Sequence, residues 1–306
     1  MKLAFAGTPA FAATILRGLV PSDHEVGLVI SQPDRKRGRG RKVSPTPVAE
    51  VALSANLPLR QPGRISEVAE EISEHDALVV AAYGQILRAD TLYASRRGAW
   101  NVHASLLPAY RGAAPIERAI MAGENETGIS IMRMDEGLDT GPVALQHRVP
   151  IPLDMTGGEL TEALADAGAE AIVEGMSALE ENSLTLREQD NLKATYAAKL
   201  KDEDKVIRWG ERVRKVHDRV RALTPYIGAR TLHPEIDGPI KVLRSKISEE
   251  GAHHSKAGTI LPAKNHLLVV CGEGVLEIME LQMPGGKALP AANLLRGRPL
   301  SGAFKP

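Results

Sequence analysis

The stretch Trp100-Asn101-Val102-His103-Ala104-Ser105-Leu106-Leu107-Pro108, followed by Leu138-Asp139-Thr140-Gly141, offers an amide, an imidazole and a carboxylate, and no nucleophile. If residues 100–105 are extended, period-two alternation puts Asn101, His103 and Ser105 on one face. Pro108 then stops the pairing, so these side chains sit near the carboxyl end of the strand, where open α/β sheets bind ligands. Asp139 lies 36 residues after His103, in a Gly-bounded turn able to fold back on it. Such a trio suits transfer of a carbonyl group between two bound partners: Asn and His stabilise a developing oxyanion, and Asp manages protons. An isolated Asn-x-His is more often an ordinary polar strand end, so the elements around it have to decide.

Those elements read as an α/β chain. Residues 2–6 form a buried first strand. Gly7 gives a tight turn, Thr8 is placed to cap the next helix, and Pro9 fits its first turn. Residues 25–31 form a second strand, and strand–helix–strand is the opening of a doubly wound sheet. The first turn lacks Gly-x-Gly-x-x-Gly spacing, which argues against a dinucleotide site there, and no Walker-type loop occurs. Residues 77–82 are a strand leading to Tyr83-Gly84-Gln85, and 127–134 and 143–151 are strands flanking the Asp139 turn. Thr156-Gly-Gly-Glu159 has capping-box spacing and opens a helix to about residue 179. Residues 209–222 read as an amphipathic helix, followed by short apolar runs broken by Gly and Pro that suggest a small β-barrel.

The formal charge of zero hides an asymmetry. Residues 205–306 carry 17 basic and 9 acidic side chains, a net of +8, against −8 for the rest. Six of the other basic residues crowd into 35–42: Arg35, Lys36, Arg37, Arg39, Arg41 and Lys42. This is either a solvated surface or a large polyanion gripped at two places. The stretch 35–42 is too basic and Gly-rich to pack, so it is expected to be a mobile loop, disordered until bound. Cys271 is the only cysteine, so no disulfide forms within the chain. No run approaches the ~20 apolar residues that span a bilayer. The amino terminus reads as strand–turn–helix rather than a signal peptide, since Gly7-Thr8-Pro9 breaks the apolar run. A cytoplasmic protein without membrane contact is expected. His253-His254 lack helical metal-pair spacing, and no metal is expected.

Taken together, Asn101-x-His103-x-Ser105-Leu-Leu-Pro108-x-Tyr110-Arg111-Gly112-Ala-Ala-Pro115 and Asp135-x-Gly137-Leu138-Asp139-Thr140-Gly141 resemble the formyltransferases that use 10-formyltetrahydrofolate. Phe5-Ala6-Gly7-Thr8-Pro9, Ser31-Gln32-Pro33-Asp34 and Tyr196-Ala-Ala-Lys199-Leu200 extend the resemblance over essentially the whole chain. Where relatives commonly carry an Asn-Pro-Trp-Pro-like turn, this chain has Thr224-Pro225-Tyr226-Ile227.

The resemblance implies a Rossmann-like catalytic domain over 1–185, a linker over 186–204 and an OB-fold-like domain over 205–306. It assigns catalysis to Asn101, His103 and Asp139, with no covalent intermediate. It places folate against Ser105, Leu106, Leu107 and Pro108, with main-chain groups of Tyr83, Gly84, Gln85, Ile86, Leu87 and the 135–140 turn holding the pterin. It implies charged initiator tRNA as the formyl acceptor and the basic loop as a tRNA contact with Arg39 nearest the acceptor end; a monomer is expected, though the residues themselves do not give the oligomeric state. A small amine acceptor, such as glycinamide ribonucleotide or an amino-sugar nucleotide, needs neither basic feature. A catalytically inert RNA-binding protein would not need the intact trio.

Overall fold

The computed structural model describes residues 1–37, 42–297 and 300–305. The strands run in chain order β1 (Lys2–Gly7), β2 (Glu25–Ile30), β3 (Arg35–Arg37), β4 (Lys42–Ser44), β5 (Leu59–Arg60), β6 (Ala77–Ala81), β7 (Ala99–His103), β8 (Glu126–Arg133), β9 (Val143–Pro150), β10 (Ala229–Thr231), β11 (Ile240–Glu249), β12 (Ile260–Leu261), β13 (Leu267–Val270), β14 (Val275–Gln282) and β15 (Ala288–Pro290). The α-helices are α1 (Ala10–Leu19), α2 (Pro47–Ser54), α3 (Ala69–Ser73), α4 (Ala89–Leu92), α5 (Pro115–Ala122), α6 (Gly157–Glu180), α7 (Val213–Ala222) and α8 (Ala291–Gly297).

The chain divides into two compact units. The first takes Met1–Pro115, Glu126–Pro150 and Thr161–Ala197, and the second takes Ile116–Asn125, Ile151–Leu160 and Ala198–Pro306. The residues read as a linker therefore fall partly within the first unit, where Arg187 is bonded to Val143 of β9, and Thr195 and Ala197 to the loop after β7.

The first unit is a sheet of order β5-β2-β1-β6-β7-β8-β9, parallel through β7 and antiparallel beyond it. It is doubly wound because its strands are apolar on both faces, as parallel strands must be when helices cover both sides. Ala4 and Ala6 of β1 pack with Ile72 of α3 and Leu92 of α4 on one face. On the other, Gly168 of α6 lies close enough to Val102 and Ile15 that a Cβ there would stand 3.1 Å and 3.3 Å from them.

Two local expectations change. Thr8 does not cap α1: its hydroxyl donates to the Tyr83 carbonyl at 3.0 Å, and Pro9 occupies the cap position without a side-chain bond. The basic stretch is not wholly a loop. Its arms β3 and β4 pair antiparallel, Arg35 opposite Ser44 and Lys36 opposite Val43, because main-chain pairing makes no demand on side-chain polarity.

The second unit holds an antiparallel sheet of order β10-β11-β14-β13-β12, with β15 also on β14. Its core gathers around Trp209 and Phe304, stacked with ring centroids 5.4 Å apart. The amphipathic helix starts at Val213, later than its pattern suggests, because Trp209 is drawn wholly into the core and bonds Thr231 Oγ1 through its indole nitrogen at 2.9 Å. The capping box forms as read: Thr156 Oγ1 accepts from Glu159 N at 3.2 Å, and Glu159 Oε2 accepts from Thr156 N at 2.8 Å. Donation to the Glu159 carboxylate from Thr156 N, and from the Thr156 hydroxyl at 2.8 Å, holds that carboxyl below its usual range.

Candidate active site

Strand β7 ends at His103, and alternation along it sends Asn101 and His103 to the face opposite Trp100 and Val102. The 134–142 loop then folds back over that face. Asp139 adopts a left-handed conformation, φ +54°, which turns its carboxylate inward. One carboxylate oxygen, Oδ1, lies 3.5 Å from Asn101 Nδ2, and the other lies 3.8 Å from His103 Nδ1. The structure thus brings the three residues of the sequence motif to one point.

Their supports are not visible in the motif. Gly112 N donates to Asp139 Oδ2 at 2.8 Å. Gly112 has φ +122°, and a Cβ on it would sit 2.8 Å from the Ala197 carbonyl, so only glycine brings its N–H to that carboxylate without strain. His103 Nε2 lies 3.1 Å from the Tyr110 carbonyl oxygen. A carbonyl only accepts, so Nε2 carries the hydrogen and Nδ1 is the ring nitrogen left facing Asp139. His103 is 6% exposed and Asp139 15%, so the two face each other where water is largely excluded.

Ser105 and Leu107 are buried and built into the scaffold. Ser105 Oγ donates to Ala109 O at 2.5 Å, Leu107 N donates to Ser130 Oγ at 3.0 Å, and Gln146 donates to Leu107 O at 2.9 Å. Leu106 and Pro108 keep partial exposure. Tyr83 is 2% exposed, and burial pushes its phenol up to about 12, so it stays neutral. Its carbonyl accepts from Thr8 and from Gln32 Nε2 at 2.9 Å. Gln85 is spent on Ile65 N and Gly63 O, and Leu87 is buried. Gly84 is exposed, and Ile86 stands 91% exposed. In the Asp139 turn, Leu138 is 61% exposed, while Asp135 Oδ1 accepts from Gly137 N and Thr140 Oγ1 and so closes the turn.

Of the basic stretch, Arg35 is exposed and donates to Gln32 Oε1 at 2.9 Å. Lys36, Arg37 and Lys42 lie on the paired arms, and Arg39 and Arg41 fall outside the described residues. Burial pushes the Cys271 thiol up to about 12, which removes it as a nucleophile at neutral pH. Among the described residues no cluster of His, Cys, Asp and Glu could hold a metal, and no helix is long and apolar enough to cross a membrane.

Comparison with known proteins gives the chain its family. Residues 1–176 match the family described as formyl transferase, and 199–299 match the formyl transferase C-terminal domain. The methionyl-tRNA formyltransferase of Rubrobacter xylanophilus is 61% identical over 305 residues, covering 100% of both chains. That of Carboxydothermus hydrogenoformans is 46% identical, covering 99% of this chain and 98% of its own. Among solved structures, an N-formyltransferase from Helicobacter canadensis, in complex with folinic acid and dTDP-3-aminofucose, superposes with a TM-score of 0.69 at 18% identity, covering 91% of this chain and 98% of its own. By sequence over its full length and by fold, this chain belongs to the formyl transferase family.

Proposed function

We propose that the protein transfers a formyl group from 10-formyltetrahydrofolate to the α-amino group of methionyl initiator tRNA, for translation initiation. The observation that carries this reading is the end-to-end match at 61% identity to a methionyl-tRNA formyltransferase. The converged Asn101, His103 and Asp139 give it chemistry.

The donor supplies a formyl carbon already bonded to a nitrogen that can leave. Attack by the amine makes one N–C bond and breaks another, and one proton moves from the attacking to the departing nitrogen. Asn101 Nδ2 donates to the formyl oxygen as it gains charge, a kind of contact worth about 10²–10³ in rate. His103 works through Nδ1, because Nε2 is committed to the Tyr110 carbonyl; protonated there, it donates toward the same oxygen and passes the proton on. Asp139, its Oδ2 fixed by Gly112 N–H, accepts the amine's proton directly or through water.

Ile86 and Leu138 are large apolar side chains held in water on the two loops assigned to folate, a setting that suits a flat ring better than solvent. Leu106 and Pro108 complete that assignment. The basic arms, with Arg39 and Arg41 between them, and the +8 carboxyl-terminal span suit the tRNA backbone. The reading takes a monomer as the working unit and the cytoplasm, where charged initiator tRNA is used, as its location. The reading keeps 1–185 and 205–306 as the two functional domains, with 186–204 as the segment between them.

A formyl-transfer assay with charged initiator tRNA beside glycinamide ribonucleotide tests the reading. Transfer to tRNA alone is the expected result. Transfer to the small amine alone, or to neither, would overturn it.

A further inference from the structure

Gln189 lies between the two spans that match the family, 1–176 and 199–299. Its side chain reaches the back of the catalytic turn. Nε2 donates to the main-chain carbonyl of Asp139 at 2.9 Å and to that of Gly141 at 2.7 Å. Its Oε1 accepts from Arg111, from Nε at 3.1 Å and Nη2 at 2.8 Å. Arg111 also donates to Asn191 Oδ1 at 2.9 Å and is 2% exposed.

The direction of this amide is set by chemistry. A guanidinium only donates, so the Gln189 atom facing Arg111 must be oxygen; the two carbonyls only accept, so the other must be nitrogen. The forked donors of Arg111 are thus turned to two neutral amides, Gln189 and Asn191, and orient both. The two carbonyls that Gln189 fixes flank Thr140, at the point where Asp139 takes its left-handed turn. The same segment holds the facing loop by its main chain: Arg111 N donates to Thr195 O, and Ala113 N to Ala197 O, both at 2.9 Å. That loop carries Gly112, whose N–H holds the Asp139 carboxylate.

We infer that Gln189, oriented by Arg111, is a positioning residue of formyl transfer that holds the Asp139 main chain so that its carboxylate reaches Asn101 and His103. The inference rests on the proposed function, and it makes the segment between the matched domains part of the catalytic apparatus.

Gln189→Glu is the discriminating variant. It keeps an oxygen for Arg111, now as an ion pair, so the fold retains its anchor. Its second oxygen faces two carbonyl oxygens and repels them. Steady-state kinetics with charged initiator tRNA should show kcat reduced about 10–100-fold, the range in which misplacement of about 1 Å acts. KM values for donor and tRNA, and the melting temperature, should stay close to wild type. Gln189→Ala should lower kcat likewise. Combined with Asp139→Ala, Gln189→Glu should add no further loss, since it acts through Asp139. Wild-type kcat in Gln189→Glu, additive losses in the double variant, or unfolding of Gln189→Glu would each overturn the inference. Absence of transfer by the wild-type protein would instead sink the proposed function, so the two failures are distinguishable.

Discussion

His103 and His217 are alike in many respects. Each is buried, each has Nε2 3.1 Å from a main-chain carbonyl, Tyr110 or Leu153, and each has an aspartate within 4 Å. They differ at the other nitrogen. His217 Nδ1 is spent on Ser245 Oγ at 3.0 Å, and its aspartate, Asp154, lies on the Nε2 side and is 67% exposed. His103 Nδ1 faces Asp139, itself shielded and fixed by Gly112. A ring with both nitrogens committed is a hydrogen-bonding post; a ring with one committed and one available can move a proton. A buried His beside an Asp is therefore no site until its second nitrogen is accounted for.

The largest effect should come from the available nitrogen. His103→Ala should lower kcat by about 10²–10⁴, while tRNA binding, measured by titrating labelled tRNA, stays near wild type. His217→Asn should leave kcat within a few-fold. Equal losses in both variants would erase the distinction.

Gly112→Ala tests the support beneath Asp139. The added Cβ meets the Ala197 carbonyl in a conformation that disfavours L side chains. Strain of about 1–3 kcal/mol is expected, with kcat reduced more than the melting temperature alone explains. Wild-type turnover would show that Asp139 does not depend on that N–H.

The basic arms should act more gently, because attraction over nanometres tolerates loose placement where proton transfer does not. Neutralising Arg35, Lys36, Arg37 and Lys42 together should flatten the slope of log tRNA affinity against log salt. The change should be about 0.7–0.9 for each phosphate that the arms neutralise in the wild-type protein. An unchanged slope would remove the arms from the interface.

The smallest effect concerns His217 and pH. Burial, opposed by the Leu153 carbonyl and helped by the Arg221 charge, holds its proton affinity below the ordinary 6.5 in the folded chain; Asp154 and Asp218 pull the other way. The unfolded chain takes up that proton near 6.5. The stability gained by keeping the ring neutral is therefore present above about 6.5 and is lost as pH falls from there toward the folded-state value. Melting temperatures between about pH 7.5 and 5 should fall less steeply for His217→Asn than for wild type. Identical slopes would assign the acid sensitivity elsewhere.

Much of this is legible in the residues themselves. Strand β7 and its alternation, the Thr156–Glu159 capping box, and the opening strand–helix–strand all depend on neighbours a few positions apart, where periodicity and capping preferences act. The Thr8 cap fails because a partner 75 residues away, the Tyr83 carbonyl, competes for the hydroxyl. The apolar pattern starts the amphipathic helix at Trp209, too early, because periodicity does not say which burial, helical or not, a large ring will take. Residues 35–37 and 42–44 read as a loop when charge is weighed and main-chain pairing is not.

By itself, then, the sequence determined the kinds of groups available, an amide, an imidazole and a carboxylate, and the strand that puts two of them on one face. Only the tertiary structure decided that Asp139 meets them, because its carboxylate is held by Gly112, 27 residues before it, and its main chain by Gln189, 50 residues after it. Hydrogen bonds between groups so far apart in the chain leave no periodic signal. They are set when loops close over the end of the sheet, and that closure turns three ordinary polar residues into a candidate site.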